Sequence, residues 1–150
     1  MADDLAMPAD DTSPLIGLPL PPPVGATALQ PGTYDGVCVF VTGGGTGLGK
    51  AIASEFARLG ASMVIASRKE EHLDAARAAM EELGAPAIAV KCDIREADDI
   101  ATAFDVATAA FGLPGVLVNN AAANFPEPAE DMSPNAWRTV VDITLTGTYL

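Results

Sequence analysis

The stretch TGGGTGLG, Thr42 to Gly49, lies between an apolar run and a segment of helical periodicity. The run before it, VCVFV at 37–41, is rich in β-branched residues, and the apolar residues after it recur at helical spacing until Gly60. A glycine-rich turn between a strand and a helix lets backbone approach a pyrophosphate and points free helix N–H groups at it. The stretch therefore predicts a dinucleotide-binding loop, and an ordinary tight turn is the alternative.

The rest of the chain repeats this alternation of apolar runs and helical segments. The predicted strands are 37–41, 62–66, 86–92 and 116–118, and the helical segments between them end at Gly60, Gly84 and Gly112. Uninterrupted apolar strands that alternate with helices are typical of a parallel sheet covered on both faces. Right-handed crossovers then predict an α/β, doubly wound, Rossmann-type fold with strand order 3-2-1-4.

Apolar spacing also predicts which helix faces are buried. In the first helix the predicted face consists of Leu48, Ile52, Phe56 and Leu59. A last helix begins at Ser133-Pro134, because serine is a favoured N-cap and proline a favoured first helical residue. Trp137 lies in that helix, and we expect strand four beside it to be left as an open edge.

Composition and charge divide the chain into two parts. The 150 residues are 49% hydrophobic with a formal charge of −12, and residues 1–35 hold seven of the twelve prolines, five acids and no base. We predict a disordered, proline-rich, acidic arm over 1–35 and one dinucleotide-binding domain over 36–150. The acidity argues against nucleic acid and anionic membranes, and the start of the chain resembles neither a secretory nor a transit peptide. We expect a cytoplasmic protein.

Three further residues are of types that can react or bind metal: Cys38, Cys92 and His72. Cys38 and Cys92 lie in apolar runs and are predicted to be buried free thiols, because two thiols form neither a disulfide framework nor a zinc site. His72 follows Glu70 and Glu71, so we interpret it as a surface residue rather than a base or ligand. No metal site is predicted.

Two motifs together carry a family resemblance. Thr42 to Gly49 and Asn119-Asn120-Ala121, at their separation in this chain, resemble the short-chain dehydrogenase/reductase family over about residues 36–150. The resemblance implies a nicotinamide cofactor whose pyrophosphate lies on the glycine-rich loop, at Gly43, Gly45, Thr46, Gly47, Leu48 and Gly49. It also implies that Asn119 presents its backbone to the cofactor while its side chain ties neighbouring strands, with Ala121 beside it.

The end of the second strand discriminates between the two nicotinamide cofactors. An acidic residue at this place binds the adenosine ribose of NAD, but the stretch here is Ala66-Ser67-Arg68-Lys69. Arg68 offers a planar fork to a 2′-phosphate, Ser67 a hydroxyl and Lys69 a point charge, which favours NADP(H). The alternative is that the two cations cap a surface turn. Asp93 is implied by the resemblance to accept from the adenine amine, unless it is only a turn residue.

The segment after strand four narrows the resemblance to one branch. NNAAANFP at 119–126, followed by MSPNAW at 132–137, looks like 2,4-dienoyl-CoA reductases. The branch implies reduction of unsaturated fatty acyl-CoA in β-oxidation, with Asn124 as the catalytic donor to the thioester oxygen, and a homotetramer. It implies that Arg95, Phe125 and Ser133 contact the substrate. The alternatives are that Asn124 is a loop residue that bonds its own backbone and that Arg95 is a solvated surface residue. Phe125 could equally be part of the core, and Ser133 could be only the N-cap of the last helix.

Some positions depart from the family pattern. Ala123 stands where the branch usually has glycine, and Thr144 where most family members have a catalytic asparagine that this branch also lacks. The family's Tyr-x-x-x-Lys pair has no match at Tyr34 or Tyr149. We therefore expect an N-terminal portion that carries the cofactor half of a longer reductase, inactive alone. The alternatives are another short-chain reductase and a non-catalytic dinucleotide-binding module.

Overall fold

The computed structural model describes residue 26 and residues 28–150 of the chain. This part forms one parallel sheet in the order β3-β2-β1-β4, with β1 at Cys38–Thr42, β2 at Ser62–Ser67, β3 at Ala87–Lys91 and β4 at Val116–Val118. The helices are α1 Gly47–Arg58, α2 Leu73–Glu82, α3 Ala97–Phe111, α4 Pro134–Val141 and α5 Gly147–Tyr149. A 3₁₀ turn, Glu70–His72, precedes α2, and a π-helical turn, Asp142–Thr146, joins α4 to α5. The predicted fold class and strand order are confirmed.

Strand β1 lies at the centre of the sheet and is buried along its whole length. Successive strand residues point to opposite faces, so β1 feeds two separate cores. Val39 and Val41 belong to the core that α1 and α2 cover, whereas Cys38 and Phe40 belong to the core that α3 covers. This division is what a doubly wound sheet requires.

Helix α1 packs on the sheet through small residues. Gly49, Ala53 and Ala57 are its buried positions, while Leu48 is 78% exposed. The predicted face was therefore wrong at Leu48. Small side chains let the helix backbone lie close to the sheet, and that close approach turns the leucine toward solvent, beside the glycine-rich loop.

The opposite face of the sheet is covered by α3 and by the turn after α4. The rings of Phe40 and Phe104 stack with centroids 4.8 Å apart, and Ala103 and Ala107 pack beside them. Ile143, from the π-helical turn, completes this core. The last helical segment is thereby anchored on this core, where Gly147 also lies against Ile94, while Trp137 on α4 remains 62% exposed.

The segment before β1 and the start of α4 are each held by specific hydrogen bonds. The prediction of a disordered arm falls on residues 1–25 and 27, which lie outside the described residues, and on the turns before β1. In those turns the Tyr34 N–H donates to the Leu59 carbonyl at 2.9 Å, and the Tyr34 ring meets Phe56 edge-on. Ser133 caps α4 as predicted, since its hydroxyl accepts from the Ala136 N–H at 3.1 Å.

Among residue 26 and residues 28–150, no helix is both long enough and apolar enough to cross a membrane. The same residues hold no cluster of three or more His, Cys, Asp or Glu side chains that could bind a metal ion.

Candidate functional site

The glycine-rich loop between β1 and α1 is tight because its glycines touch the segment after β4. Gly43 has φ +67°, and a Cβ there would lie 2.8 Å from the amide nitrogen of Asn120. A Cβ on Gly49 would overlap the Gly43 carbonyl oxygen. Both positions therefore require glycine for space, and Gly43 also requires it for its backbone conformation. Only Thr46, Gly47 and Leu48 of the loop are exposed.

Thr42 and Asn120 lock this loop to the end of β4. The Thr42 hydroxyl accepts from the backbone N–H groups of Asn120 and Ala121, both at 3.1 Å, and donates to the Val118 carbonyl at 3.3 Å. The Asn120 side-chain amide donates to the carbonyls of Thr42 and Gly43, at 3.0 and 3.3 Å. The loop is thus held in place by side chains as well as by backbone.

The amide that ties the two strands is therefore Asn120, and its assignment to Asn119 was wrong. Asn119 is exposed and lines a separate cavity of about 150 Å³ beside Leu117 and Phe104. Strand alternation explains the shift by one residue. Val116, Val118 and Asn120 point toward the α1 side of the sheet, and Leu117 and Asn119 point to the other side.

A cleft of about 430 Å³ opens over the loop at the carboxyl ends of the strands. It brings together nine of the predicted cofactor residues: Gly43, Thr46, Gly47, Leu48, Gly49, Ser67, Arg68, Lys69 and Ala121. Sequence reasoning missed further residues that line it: Ala66, His72, Cys92, Ile94, Asn120, Ala122 and Ile143. Gly45, Asp93 and Asn119 were predicted but do not line it.

His72 is the clearest of the missed residues. Its side chain is 38% exposed, so it lies at the surface as predicted, but the 3₁₀ turn carries its Cβ to 3.1 Å from the position that a Cβ on Gly45 would take. Its imidazole Nε2 lies 3.5 Å from Glu71 Oε1. Two neighbouring acids had suggested solvent exposure, but the turn directs the histidine to the wall of the cleft.

The end of β2 brings two cations to the mouth of the cleft. The Ser67 hydroxyl accepts from the Lys69 N–H at 3.3 Å, which fixes the turn that carries Arg68. The Arg68 side chain is 50% exposed, so its guanidinium remains accessible. Lys69 Nζ lies 3.9 Å from Glu71 Oε1 and is more exposed still. This arrangement can bind an anion at the rim of the cleft.

Asp93 stands between two arginines just outside the cleft. Arg95 Nε donates to Asp93 Oδ1 at 3.0 Å, and the Arg95 N–H donates to the same oxygen at 3.1 Å. Arg68 Nη1 is 3.9 Å from Asp93 Oδ2. The hydrogen bond from Arg95 holds the pKa of the Asp93 carboxyl below its ordinary value. Arg95, predicted to contact substrate, is thus engaged with a predicted cofactor residue.

Cys92 is a buried thiol at the inner wall of the cleft. Burial raises its pKa to about 11, and the nearby Asp99 and Asp93 carboxylates add to the shift. A thiol with this pKa stays protonated at neutral pH and is a poor nucleophile. Cys38, also free, is buried at the start of β1, and burial raises its pKa as well.

The segment after β4 is less enclosed. Asn124 is exposed and Phe125 is 45% exposed, and neither lines the cleft. Ala123 is half-buried against the core around Phe40, and its N–H donates to the Thr144 hydroxyl at 3.3 Å. Ala123 and Thr144, the two residues that depart from the family pattern, are therefore in contact with each other. Ser133 acts as the cap of α4.

The shape and charge of the cleft fit a dinucleotide. A loop that excludes Cβ atoms lies under it, and the N-terminus of α1, whose first turn holds no acidic residue, points at it. The cleft lies where the strand order reverses, between β1 and β4, which is the usual ligand-binding place in such sheets. Cations stand at one end, where β2 ends.

Comparison with known proteins identifies the class to which this fold and site belong. The family model described as short chain dehydrogenase matches residues 37–150. The chain belongs to the short-chain dehydrogenase family of oxidoreductases, whose members use a nicotinamide dinucleotide.

Individual relatives narrow the comparison further. The chain is 41% identical over 120 residues to a peroxisomal 2,4-dienoyl-CoA reductase of Arabidopsis thaliana, covering 80% of this chain and 40% of the relative. It is 45% identical over 123 residues to a probable 2,4-dienoyl-CoA reductase of Caenorhabditis elegans, covering 81% and 40%. Both names specify (3E)-enoyl-CoA as the product. The predicted resemblance to this branch is confirmed.

A solved structure agrees with the fold. The citronellol catabolism dehydrogenase of Pseudomonas aeruginosa superposes with a TM-score of 0.77 at 36% identity, over 83% of this chain and 51% of that protein. The chain thus spans about 40% of the length of the curated relatives and half of the structural one.

Proposed function

We propose that the protein is an NADPH-dependent reductase of unsaturated fatty acyl-CoA, of the 2,4-dienoyl-CoA type, acting in fatty acid β-oxidation. This chain supplies its cofactor-binding half. The observation that carries the proposal is the end of β2, where the accessible Arg68 guanidinium replaces the carboxylate of an NAD site at the rim of the cleft. The names of the relatives support the choice of substrate.

In this proposal different residues of the cleft bind different parts of the cofactor. The loop from Gly43 to Gly49 and the N-terminus of α1 bind the pyrophosphate through backbone N–H groups. Ser67, Arg68 and Lys69 bind the 2′-phosphate. Asp93 and the backbone at Asn119 and Ala121 are assigned to the adenine and the nicotinamide ribose. When bound, NADPH supplies the hydride.

The substrate is assigned to the exposed segment after β4. Negative charge develops on the thioester oxygen when a hydride adds to the far end of the conjugated diene, so a hydrogen-bond donor is needed there. We assign the Asn124 amide to that role because it is exposed and points to no partner among the described residues. Phe125 would line the acyl chain, and Arg95 and Ser133 would lie near the CoA moiety.

Assembly and location are part of the same proposal. Trp137, Leu145 and Tyr149 lie on one continuous helical segment and are 62%, 68% and 85% exposed. Apolar side chains of this size favour burial against another surface, either the rest of a longer polypeptide or a second subunit of the proposed homotetramer. The cytoplasmic location stays a prediction, and one relative is named peroxisomal.

The test uses the protein as its gene encodes it. We expect absorbance at 340 nm to fall when NADPH and a 2,4-dienoyl-CoA are supplied together, and the product to be the 3-enoyl-CoA. Asn124→Ala should lower kcat by about 100-fold, the size expected for loss of one donor to a developing oxyanion. Asn135→Ala, an exposed amide on α4, is the matched control. Equal turnover of simple ketones with NADH would overturn the proposal.

A second candidate is a short-chain reductase for another carbonyl or enoyl substrate, which the structural match to a citronellol catabolism dehydrogenase favours. It predicts NADPH oxidation with terpenoid or simple enoyl substrates and none with dienoyl-CoA. Binding of NADPH without turnover of any of these substrates would instead point to a non-catalytic dinucleotide-binding module.

A further inference from the structure

Two arginines at the cofactor cleft compete for one carboxylate. Asp93 Oδ1 accepts from Arg95 Nε and from the Arg95 backbone N–H, and Asp93 Oδ2 accepts from Nη2 of the same guanidinium. Arg68 reaches Asp93 Oδ2 only at 3.9 Å, which is beyond hydrogen-bond distance. Asp93 is therefore held by Arg95 and only approached by Arg68.

The position of Asp93 makes this competition matter. Its side chain is 18% exposed, so solvent screens it less than the half-exposed Arg68. An unpaired carboxylate 3.9 Å from Arg68 would attract that guanidinium and repel a phosphate bound to it. The sequence around β2 contains no acid at the 2′-phosphate position, but the fold brings one there from the loop after β3.

We propose that Arg95 is a positioning residue that determines cofactor choice: by engaging the Asp93 carboxylate, it leaves Arg68 free to bind the 2′-phosphate of NADP(H). This inference rests on the proposed cofactor. It gives Arg95 a role at the cofactor in addition to its proposed place near the CoA moiety. Arg95 acts through Asp93 and Arg68 and does not itself touch the cofactor.

The surrounding charges reinforce the effect. Glu96 and Asp142 lie close enough to Arg95 to act on it electrostatically. Asp99 Oδ2 accepts from the Asp93 N–H at 2.9 Å. Without Arg95, four carboxylates would surround this point, and Arg68 would be the nearest cation left to Asp93.

The test compares the dissociation constants of NADPH and NADH, measured by cofactor fluorescence at low salt. Arg95→Gln should weaken the binding of NADPH by about fivefold relative to that of NADH. This is the effect expected when an unpaired Asp93 carboxylate, about 4 Å from Arg68, attracts that guanidinium in water. Adding Asp93→Asn to that variant should restore the wild-type ratio, because the carboxylate is then neutral. Loss of an adenine contact by Asp93→Asn affects both cofactors equally and leaves the ratio unchanged.

Arg77→Gln is the matched control. It breaks an exposed Arg77–Glu81 ion pair on α2 that does not line the cleft, so the ratio should not change. If Arg95→Gln keeps the wild-type preference for NADPH, the inference is wrong, whatever the effect on the KM for dienoyl-CoA. A wild-type protein with no preference for NADPH would contradict the proposed cofactor itself.

Discussion

The two sides of the cleft are built differently. On the side of the glycine-rich loop, Gly49 packs against Gly43, and Asn120 and Thr42 hold the loop with hydrogen bonds to backbone. On the other side, residues 124–131 are all exposed, and the side chains assigned to the substrate make no hydrogen bond among the described residues except at the Ser133 cap and the Arg95–Asp93 pair.

This difference teaches which part of the site is self-contained. The loop side is stabilised by contacts between β1, α1 and the end of β4, so it is pre-organised for a rigid ligand such as a pyrophosphate. The open side has the residue types for an acyl-CoA but few contacts that orient them. Substitutions should therefore affect folding on the first side much more than on the second.

The largest effect is expected at Gly49. Gly49→Ala places a methyl group onto the Gly43 carbonyl oxygen and the Asn120 amide, and backbone cannot move aside as a flexible side chain can. We expect the free energy of unfolding to fall by about 3 kcal/mol, typical of overpacking at a tight backbone contact, with loss of NADPH binding. Urea denaturation measures it.

Gly115→Ala is the control for that change, because a Cβ there meets only the side chain of Val37 at 3.1 Å and a carbonyl at 4.0 Å. It should cost far less stability and leave cofactor binding intact. Equal loss in the two variants would show that the loop is not the tight point of the site.

The next effect separates Asn120 from its neighbour. Asn120→Ala removes two hydrogen bonds to backbone carbonyls and leaves part-buried acceptors unpaired, at a cost of about 2 kcal/mol. Asn119→Ala changes an exposed side chain and should alter stability by less than about 0.5 kcal/mol. Thermal and urea unfolding of the two variants measure these changes in stability. A larger loss in Asn119→Ala than in Asn120→Ala would show that Asn119 is the residue that ties the two strands.

On the open side, Ser133→Ala should cost about 1 kcal/mol, the usual value for loss of an N-cap hydrogen bond. NADPH affinity should stay unchanged, because Ser133 does not line the cleft. Ser133→Asp, which also caps a helix, should recover the stability. A drop in NADPH affinity with Ser133→Ala would mean that the two sides of the site are coupled.

The smallest effect is a pH dependence at Asp93. Its pKa in the folded protein is below the ordinary 3.8, so ionised Asp93 stabilises the fold above that pH and the contribution is lost as pH falls through the folded value. Wild type should therefore lose more stability between pH 5 and pH 3 than Asp93→Asn does.

The regular elements of the fold could be predicted from the sequence because their signals are local. Apolar runs such as 37–41 and glycines such as Gly60 and Gly112 mark strands and helix ends within a few residues of themselves. Strand order followed from the handedness of crossovers, which hardly varies. The glycine-rich loop was predictable for the same reason.

The errors came from contacts that no local pattern encodes. Two adjacent asparagines are equivalent until the register of β4 decides that Asn120 points to the loop. Leu48 carried the stronger apolar signal, but Gly49, Ala53 and Ala57 pack more closely on the sheet. Asp93 comes within 3.9 Å of Arg68 from the loop after β3, 25 residues later in the chain.

The most direct test of the central claim, that the end of β2 binds a 2′-phosphate, uses two small nucleotides. Adenosine 2′,5′-bisphosphate and adenosine 5′-monophosphate differ only in that phosphate, and calorimetry measures their affinities for wild type and Arg68→Gln. We expect wild type to prefer the bisphosphate by at least about tenfold, and Arg68→Gln to lose most of this preference, as for a charge-assisted bidentate contact. Equal affinities in wild type, or an unchanged preference in Arg68→Gln, would contradict the claim.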